Sequence, residues 1–119
     1  MTWGTVELEP EVADWLSALD DQRWAQSMMH LDLLEERGVL LSEPYTRQLD
    51  GKLRELRFYC GGARTRVTYW IAPGRRVILL TVFRKTRMRE TDEVERARRA
   101  LKQCQAEQHT VDDEEEQLP

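Results

Sequence analysis

The sequence predicts an α+β fold: a short first strand, an N-terminal helical hairpin packed on a four-stranded, mainly antiparallel sheet, and a C-terminal helix. Three observations predict this arrangement. Apolar residues recur at helical spacing over residues 10–38, three strand patterns separated by glycine-containing turns follow over 53–84, and a second helical pattern begins at Thr91. The 119 residues suffice for one hydrophobic core and are too few for two domains.

The N-terminal third alternates briefly and then becomes helical. Residues 3–9 alternate crudely in polarity, as a short strand does. Pro10 suits the first turn of a helix, and Asp20 or Asp21 can cap a second helix that ends at Gly38. The apolar residues that predict the faces packed on the sheet are Val12, Trp15, Leu16, Leu19, Trp24, Met28, Leu31 and Leu34.

Three strand patterns follow a connection over residues 39–51. The strands are expected at Leu53–Cys60, Arg64–Ala72 and Arg76–Arg84. Short links that contain glycine, such as Gly61-Gly62, predict an antiparallel meander. In residues 77–83, apolar side chains occupy both the odd and the even positions, so both faces of the strand are apolar. This pattern is typical of a central strand covered on both faces.

The last helix and the end of the chain differ in composition. Thr91 starts the helix, and Val94, Ala97, Leu101 and Cys104 form its apolar stripe. Beyond residue 105 the apolar content falls, and residues 112–116 are all acidic. We therefore expect one domain over residues 1–105 and a disordered acidic tail over 106–119.

Composition argues against several classes of protein. No apolar run approaches the roughly 20 residues that a membrane helix requires, and the acidic N-terminus does not resemble a signal peptide. We therefore expect a cytoplasmic protein with no membrane partner. Cys60, Cys104, His30 and His109 show no metal-ligand spacing, and both histidines are expected to be solvated. We expect no metal, no cofactor and no disulfide.

The net charge of −4 conceals a segregation of charge along the chain. Residues 1–46 carry −8, residues 47–102 carry +10 and residues 103–119 carry −6. Glu55 is the single acid between Lys52 and Lys85. Because a solvated surface usually mixes both signs, this excess of positive charge indicates an anionic ligand such as a nucleic acid.

Strand alternation predicts a cluster within the basic segment. Glu55 and Arg57 share one face of their strand, and pairing with the next strand would bring Arg66 onto that face. Arg84 and Lys85 would lie at its rim. The cluster is a candidate phosphate site, and the alternative is a solvated sheet face on which Glu55 pairs with an arginine.

Four motifs in order resemble the RelE/ParE toxin superfamily, in its HigB-like branch related to phage-derived toxins. They are LDGKLRELR at residues 49–57, Gly61-Gly62, RVTYW at 66–70 and VFRKT at 82–86. The last helix is also similar at residues 93–97. The resemblance covers residues 45–105 and implies a RelE-like fold.

This resemblance implies an activity and a set of partners. Such a toxin is an endoribonuclease that cleaves mRNA, commonly on the translating ribosome, and inhibits translation. It acts without a metal ion or other cofactor. A co-encoded antitoxin with a helix-turn-helix domain neutralises it, and DNA is contacted only through that antitoxin.

The resemblance also suggests roles for individual residues. By position, Arg66 is similar to the arginine that stabilises the transition state, and Arg57 to the arginine of the preceding strand. Arg84 and Lys85 are similar to the basic pair after the third strand. Glu55 is a candidate proton acceptor, because HigB-like members carry Glu-Leu-Arg where RelE has a lysine. RNA contacts are expected from Lys52, Arg54, Arg64, Arg87 and Arg89.

Two other functions are compatible with the same scaffold. One is ParE-like inhibition of gyrase, and the other is binding of RNA or protein without catalysis. The density of basic residues favours RNA, and the Glu-Leu-Arg sequence favours HigB over ParE. Arg89-Glu90 stands where the family often has a Thr-Pro step, so substrate contacts are expected to differ there.

Overall fold

The computed structural model describes residues 2–86 and 90–116, with side chains as far as residue 107. The elements, in chain order, are β1 (Thr5–Leu8), α1 (Pro10–Ser17), α2 (Asp21–Arg37), a 3-10 turn (Gly38–Leu40), β2 (Thr46–Asp50), β3 (Leu53–Cys60), β4 (Ala63–Ala72), β5 (Arg76–Arg84) and α3 (Glu90–Glu116). Within the described ranges, no helix is long and apolar enough to cross a membrane.

The five strands form one mixed sheet in the order β1-β5-β4-β3-β2. The predicted meander of β3, β4 and β5 is confirmed, and β1 pairs parallel with β5. The predicted number of four strands is wrong, because the connection over residues 39–51 contains β2, which pairs antiparallel with β3. β2 lies at the sheet edge and its side chains are mostly exposed. Since backbone hydrogen bonds rather than an apolar face hold it, its sequence does not alternate.

Two apolar cores lie on opposite faces of the sheet. Helices α1 and α2 cover the first face, on which Val77 and Leu79 of β5 are buried. Helix α3 covers part of the second face, on which Ile78 and Leu80 are buried against Ala97. This division confirms the prediction of two-sided coverage for residues 77–81, whereas Val82 and Phe83 are only half-buried.

The helices follow the sequence pattern with one difference. Asp20 caps α2, and its carboxylate accepts a hydrogen bond from the Arg23 backbone N–H at 2.8 Å. Trp24, expected in the packed stripe, is 48% exposed, whereas Ser27 is fully buried. The Ser27 hydroxyl lies 3.5 Å from the Cys60 sulfur, so a small residue allows α2 to approach β3 closely.

Helix α3 is longer than the composition suggests. It ends at Glu116 and therefore includes much of the segment 106–119 expected to be a disordered tail. The domain boundary after residue 105 stays a prediction.

Gly38 ends α2 in a backbone conformation that side chains rarely adopt. Its φ is +49° and its ψ is −119°, and a Cβ there would lie 2.1 Å from the Trp3 ring. The backbone N–H groups of Trp3 and Gly4 donate to the Glu35 carbonyl at 2.9 and 3.3 Å. Close packing at Gly38 therefore holds the start of the chain against the end of α2.

We expect Gly38→Ala to lower the free energy of unfolding by more than about 3 kcal/mol, measured by urea denaturation. Backbone strain accounts for about 1–3 kcal/mol, and displacement of Trp3 adds to it. Gly62→Ala is the matched control, because Gly62 has a φ of +79° but open space around its Cβ position. Equal losses in the two variants would exclude a contribution from the contact with Trp3.

Candidate functional site

The polar cluster lies on the second face of the sheet, beyond the part that α3 covers. Leu53 packs beneath α3, and Glu55 and Arg57 follow on the same parity of β3. In the register between β3 and β4, Arg57 is opposite Arg66 and Glu55 is opposite Thr68. The pairing therefore brings Glu55, Arg57 and Arg66 together, as strand alternation predicts.

Glu55 lies between two guanidinium groups without a hydrogen bond to either. Its Oε1 is 3.8 Å from Nε of Arg57 and 3.8 Å from Nε of Arg66, which exceeds hydrogen-bonding distance. The side chains of Glu55 and Arg66 are only 5% and 7% exposed. Arg66 donates from Nη1 to the Thr65 carbonyl at 3.1 Å, but its buried Nε has no hydrogen-bond partner among the described residues. The burial of that donor is therefore compensated only by the attraction of Glu55 at 3.8 Å.

Burial shifts the ionisation of both groups toward the neutral form. It raises the pKa of the Glu55 carboxyl, and the opposing attraction of Arg66 and Arg57 does not offset it. Burial also lowers the pKa of the Arg66 guanidinium, against the attraction of Glu55. A carboxylate with a raised pKa is a better proton acceptor near neutral pH than an exposed one.

A basic groove adjoins this cluster at the end of β3 and β5. Its volume is about 470 Å³, and it is lined by His30, Pro44, Tyr45, Arg57, Phe58, Tyr59, Arg64, Arg66 and Lys85. Four of these nine lining residues are basic and none is acidic. The backbone N–H of Lys85 donates to the Arg64 carbonyl at 2.8 Å, and Lys85 Nζ is 3.3 Å from a Glu90 carboxylate oxygen. The groove can therefore bind an anion larger than a single phosphate.

On the side away from β4, the part of β5 that carries this basic end is held by side chains and not by a neighbouring strand. Pairing with β1 ends at Leu79. Farther along, the Val82 N–H donates to Glu11 of α1 at 2.8 Å, and the Val82 carbonyl accepts from Arg96 of α3 at 3.2 Å. Glu11 and Arg96 also form an ion pair. Both helical layers thus fix the strand that leads to Lys85.

Two predicted RNA-binding residues lie away from the groove. Arg54 points to the first face of the sheet, where Nε donates to the Tyr69 hydroxyl and Nη2 to the Thr46 hydroxyl, both at 3.3 Å. Lys52 is exposed in the turn between β2 and β3, at the opposite end of β3 from the groove. Arg54 therefore has an internal role in packing β2 against the core.

Arg84 does not join the cluster directly. Phe83 is the register partner of Arg66, and Arg84 follows it, so Arg84 lies on the opposite face of the sheet. Its side chain lines separate depressions around the end of the strand. Arg87 and Arg89, the remaining predicted RNA contacts, lie outside the described residues.

Sequence reasoning missed three aromatic groups that line the groove. His30 is not simply solvated, because its ring stacks on Phe58 with centroids 4.8 Å apart and its Nδ1 lies 2.8 Å from the Gln26 carbonyl. Tyr45 and Tyr59 are 40% and 63% exposed. The parity of Tyr59, shared with Arg57, is the one sequence signal that could have placed it here. Within residues 2–86 and 90–107, no three His, Cys, Asp or Glu side chains form a group that could hold a metal ion.

Glu55→Gln should raise the thermal unfolding temperature near pH 7. The folded-state pKa of Glu55 lies above its ordinary value of 4.5, so its contribution to stability is fully present below pH 4.5 and is lost as pH rises through the folded-state pKa. Glutamine stays neutral and avoids that loss. The difference between variant and wild type should therefore disappear below about pH 4.5, in a series of thermal melts. A gain that persists at low pH would show that ionisation of Glu55 is not the cause.

Comparison with known proteins places this arrangement in a family. No curated protein matches the chain significantly. A chain from the crystal structure of the archaeal RelE-RelB complex of Pyrococcus horikoshii OT3 aligns with a TM-score of 0.55 and 20% sequence identity, over 73% of this chain and 99% of that one. The two therefore share a fold. The family model described as phage-derived protein Gp49-like matches residues 14–104, which include α2, the strands β2 to β5 and the candidate site. The chain thus belongs to the family of phage-derived Gp49-like proteins.

Proposed function

We propose that this chain is the toxin of a type II toxin-antitoxin system, of the HigB-like branch, and that it cleaves mRNA in the cytoplasm without a metal ion. The observation that carries the proposal is the buried Arg66, whose Nε has no hydrogen-bond partner among the described residues and whose side chain lines a groove with four basic residues and no acid. The RelE-like fold and the membership of the Gp49-like family are consistent with it.

The residues of the cluster suit metal-free cleavage of RNA. When the 2′-hydroxyl attacks the neighbouring phosphate, a base must accept its proton and positive charge must stabilise the phosphorane. Arg66 and Arg57 are the proposed donors to the phosphorane, because they project from adjacent paired strands and need little reorganisation. Glu55, with its raised pKa, is the proposed proton acceptor. As the bond from the 2′-oxygen to phosphorus forms, the P–O5′ bond breaks; Lys85 would stabilise the charge on the leaving 5′-oxygen, which takes up a proton from water.

An antitoxin and the ribosome are the proposed partners. The solved structure that shares this fold is a complex of RelE with RelB, which supports an antitoxin as a partner. We propose that this antitoxin carries a helix-turn-helix domain and alone contacts DNA. The ribosome would present mRNA to the groove, because a chain of net charge −4 attracts free RNA only weakly at long range.

Induced expression of the wild-type chain in bacteria should arrest growth and create new mRNA 5′ ends, and Arg66→Ala should abolish both. Removal of one transition-state donor costs about 100-fold or more in rate. The matched control is Arg99→Ala, which removes an exposed basic side chain on α3, outside the groove, and should leave cleavage unchanged. Purified protein assayed with and without ribosomes tests ribosome dependence, and protein freed of metal with EDTA and then dialysed should be as active as untreated protein. Thermal melts confirm that both variants are folded.

Other outcomes of this experiment would contradict the proposal. Growth arrest with relaxed plasmid DNA and no new mRNA ends would indicate gyrase inhibition. RNA binding without cleavage in either ribosome condition would indicate a non-catalytic binding protein.

A further inference from the structure

We propose that the groove holds one unstacked base of a single-stranded RNA against an aromatic wall formed by Tyr45 and Tyr59, with His30 beside it. The inference rests on the proposed function, since it names the form of RNA that the same site takes. The basic side chains would bind the phosphates on either side of that base.

Tyr59 carries the argument because an exposed aromatic ring stands among arginines. Its side chain is 63% exposed, although an aromatic ring is among the side chains that gain most from burial. It shares the parity of Arg57, and its register partner on β4 is Arg64. Directly opposed residues of antiparallel strands have adjacent side chains, so the Tyr59 and Arg64 side chains project from neighbouring positions on the same face. A base stacked on the ring would therefore bring its phosphate next to Arg64.

Tyr45 and His30 line the groove beside Tyr59 and extend the surface that a base can contact. The Tyr45 carbonyl accepts a hydrogen bond from the Arg57 N–H at 2.8 Å, which places Tyr45 beside the cluster. His30 also lines the groove, and its ring stacks on the buried Phe58 with an interplanar angle of 14°. Nδ1 of His30 is engaged with Gln26, and Nε2 has no partner among the described residues. Nε2 can therefore hydrogen-bond to the edge of a base.

Single-stranded RNA fits this chemistry better than duplex RNA or an acidic peptide. Alternating aromatic and basic side chains are typical of sites that bind single strands, because every base offers a face for stacking. A duplex keeps its bases stacked on one another and leaves the aromatic wall unused. An acidic peptide would satisfy the arginines but has no flat ring for Tyr59. The volume of about 470 Å³ also lies within the usual range of about 300–1,000 Å³ for ligand sites.

The test is fluorescence anisotropy with short, 2′-O-methylated single-stranded RNA, which binds but cannot be cleaved. Tyr59→Ala should weaken binding about tenfold or more, whereas Tyr59→Phe, which keeps the ring, should stay within about twofold of wild type. Trp24→Ala is the matched control, since Trp24 is an aromatic residue of similar exposure that lies outside the groove. An oligonucleotide of abasic residues should bind wild type as weakly as the intact RNA binds Tyr59→Ala.

Three results would overturn this inference: equal affinity of wild type and Tyr59→Ala, equal affinity for intact and abasic RNA, or preference for duplex RNA or polyglutamate. The proposed nuclease activity can fail separately, because this RNA cannot be cut. If wild type creates no new mRNA ends but binding still depends on Tyr59 and on the base, the base-binding role of the aromatic wall is supported. The same result would contradict the proposed nuclease activity.

Discussion

The candidate site depends on one electrostatic constraint, a carboxylate buried between two arginines on paired strands. Glu55 and Arg66 are almost fully buried, yet their closest contact of 3.8 Å is too long for a hydrogen bond. Burial of both charges is therefore only partly offset by their attraction. A cluster of this kind persists when the surrounding sheet is stable enough to hold it in place. Burying these charges lowers the stability of the folded state. An anionic ligand that contacts the arginines would regain part of this free energy on binding.

Helices that cover the sheet on both faces stabilise the strands that carry this cluster. Tyr69 is fully buried against α1 and α2, and Trp70, the next residue of β4, is buried beneath α3. The indole N–H of Trp70 donates to the Cys104 sulfur at 3.4 Å, which fixes α3 across that face. Because Cys104 is buried there, the pKa of its thiol is raised and it remains a packing group. Rigid strands then position Arg57 and Arg66 without flexible loops.

The same construction explains how a shared fold tolerates low sequence identity. At 20% identity with the archaeal RelE-RelB chain, little beyond the pattern of apolar and polar positions need be common to the two. Function resides in the few polar residues that the strands place together, and these can change while the cores are conserved in volume and pattern. In this chain, side chains of Glu11 and Arg96 also complete the edge of β5, a task that an additional strand could perform.

The sequence by itself determined the meander, the two helical regions and the parity that joins Glu55, Arg57 and Arg66. These features depend on local periodicity and turn residues, which can be recognised from a few neighbouring positions in the sequence. Only the tertiary structure decided that β2 is a strand, because an edge strand is held by backbone hydrogen bonds that leave no apolar pattern. It also placed Arg54 away from the groove and Arg84 on the opposite face of the sheet, and it brought His30 and Tyr45 to the groove. Those placements depend on the packing of distant segments, which no local pattern records.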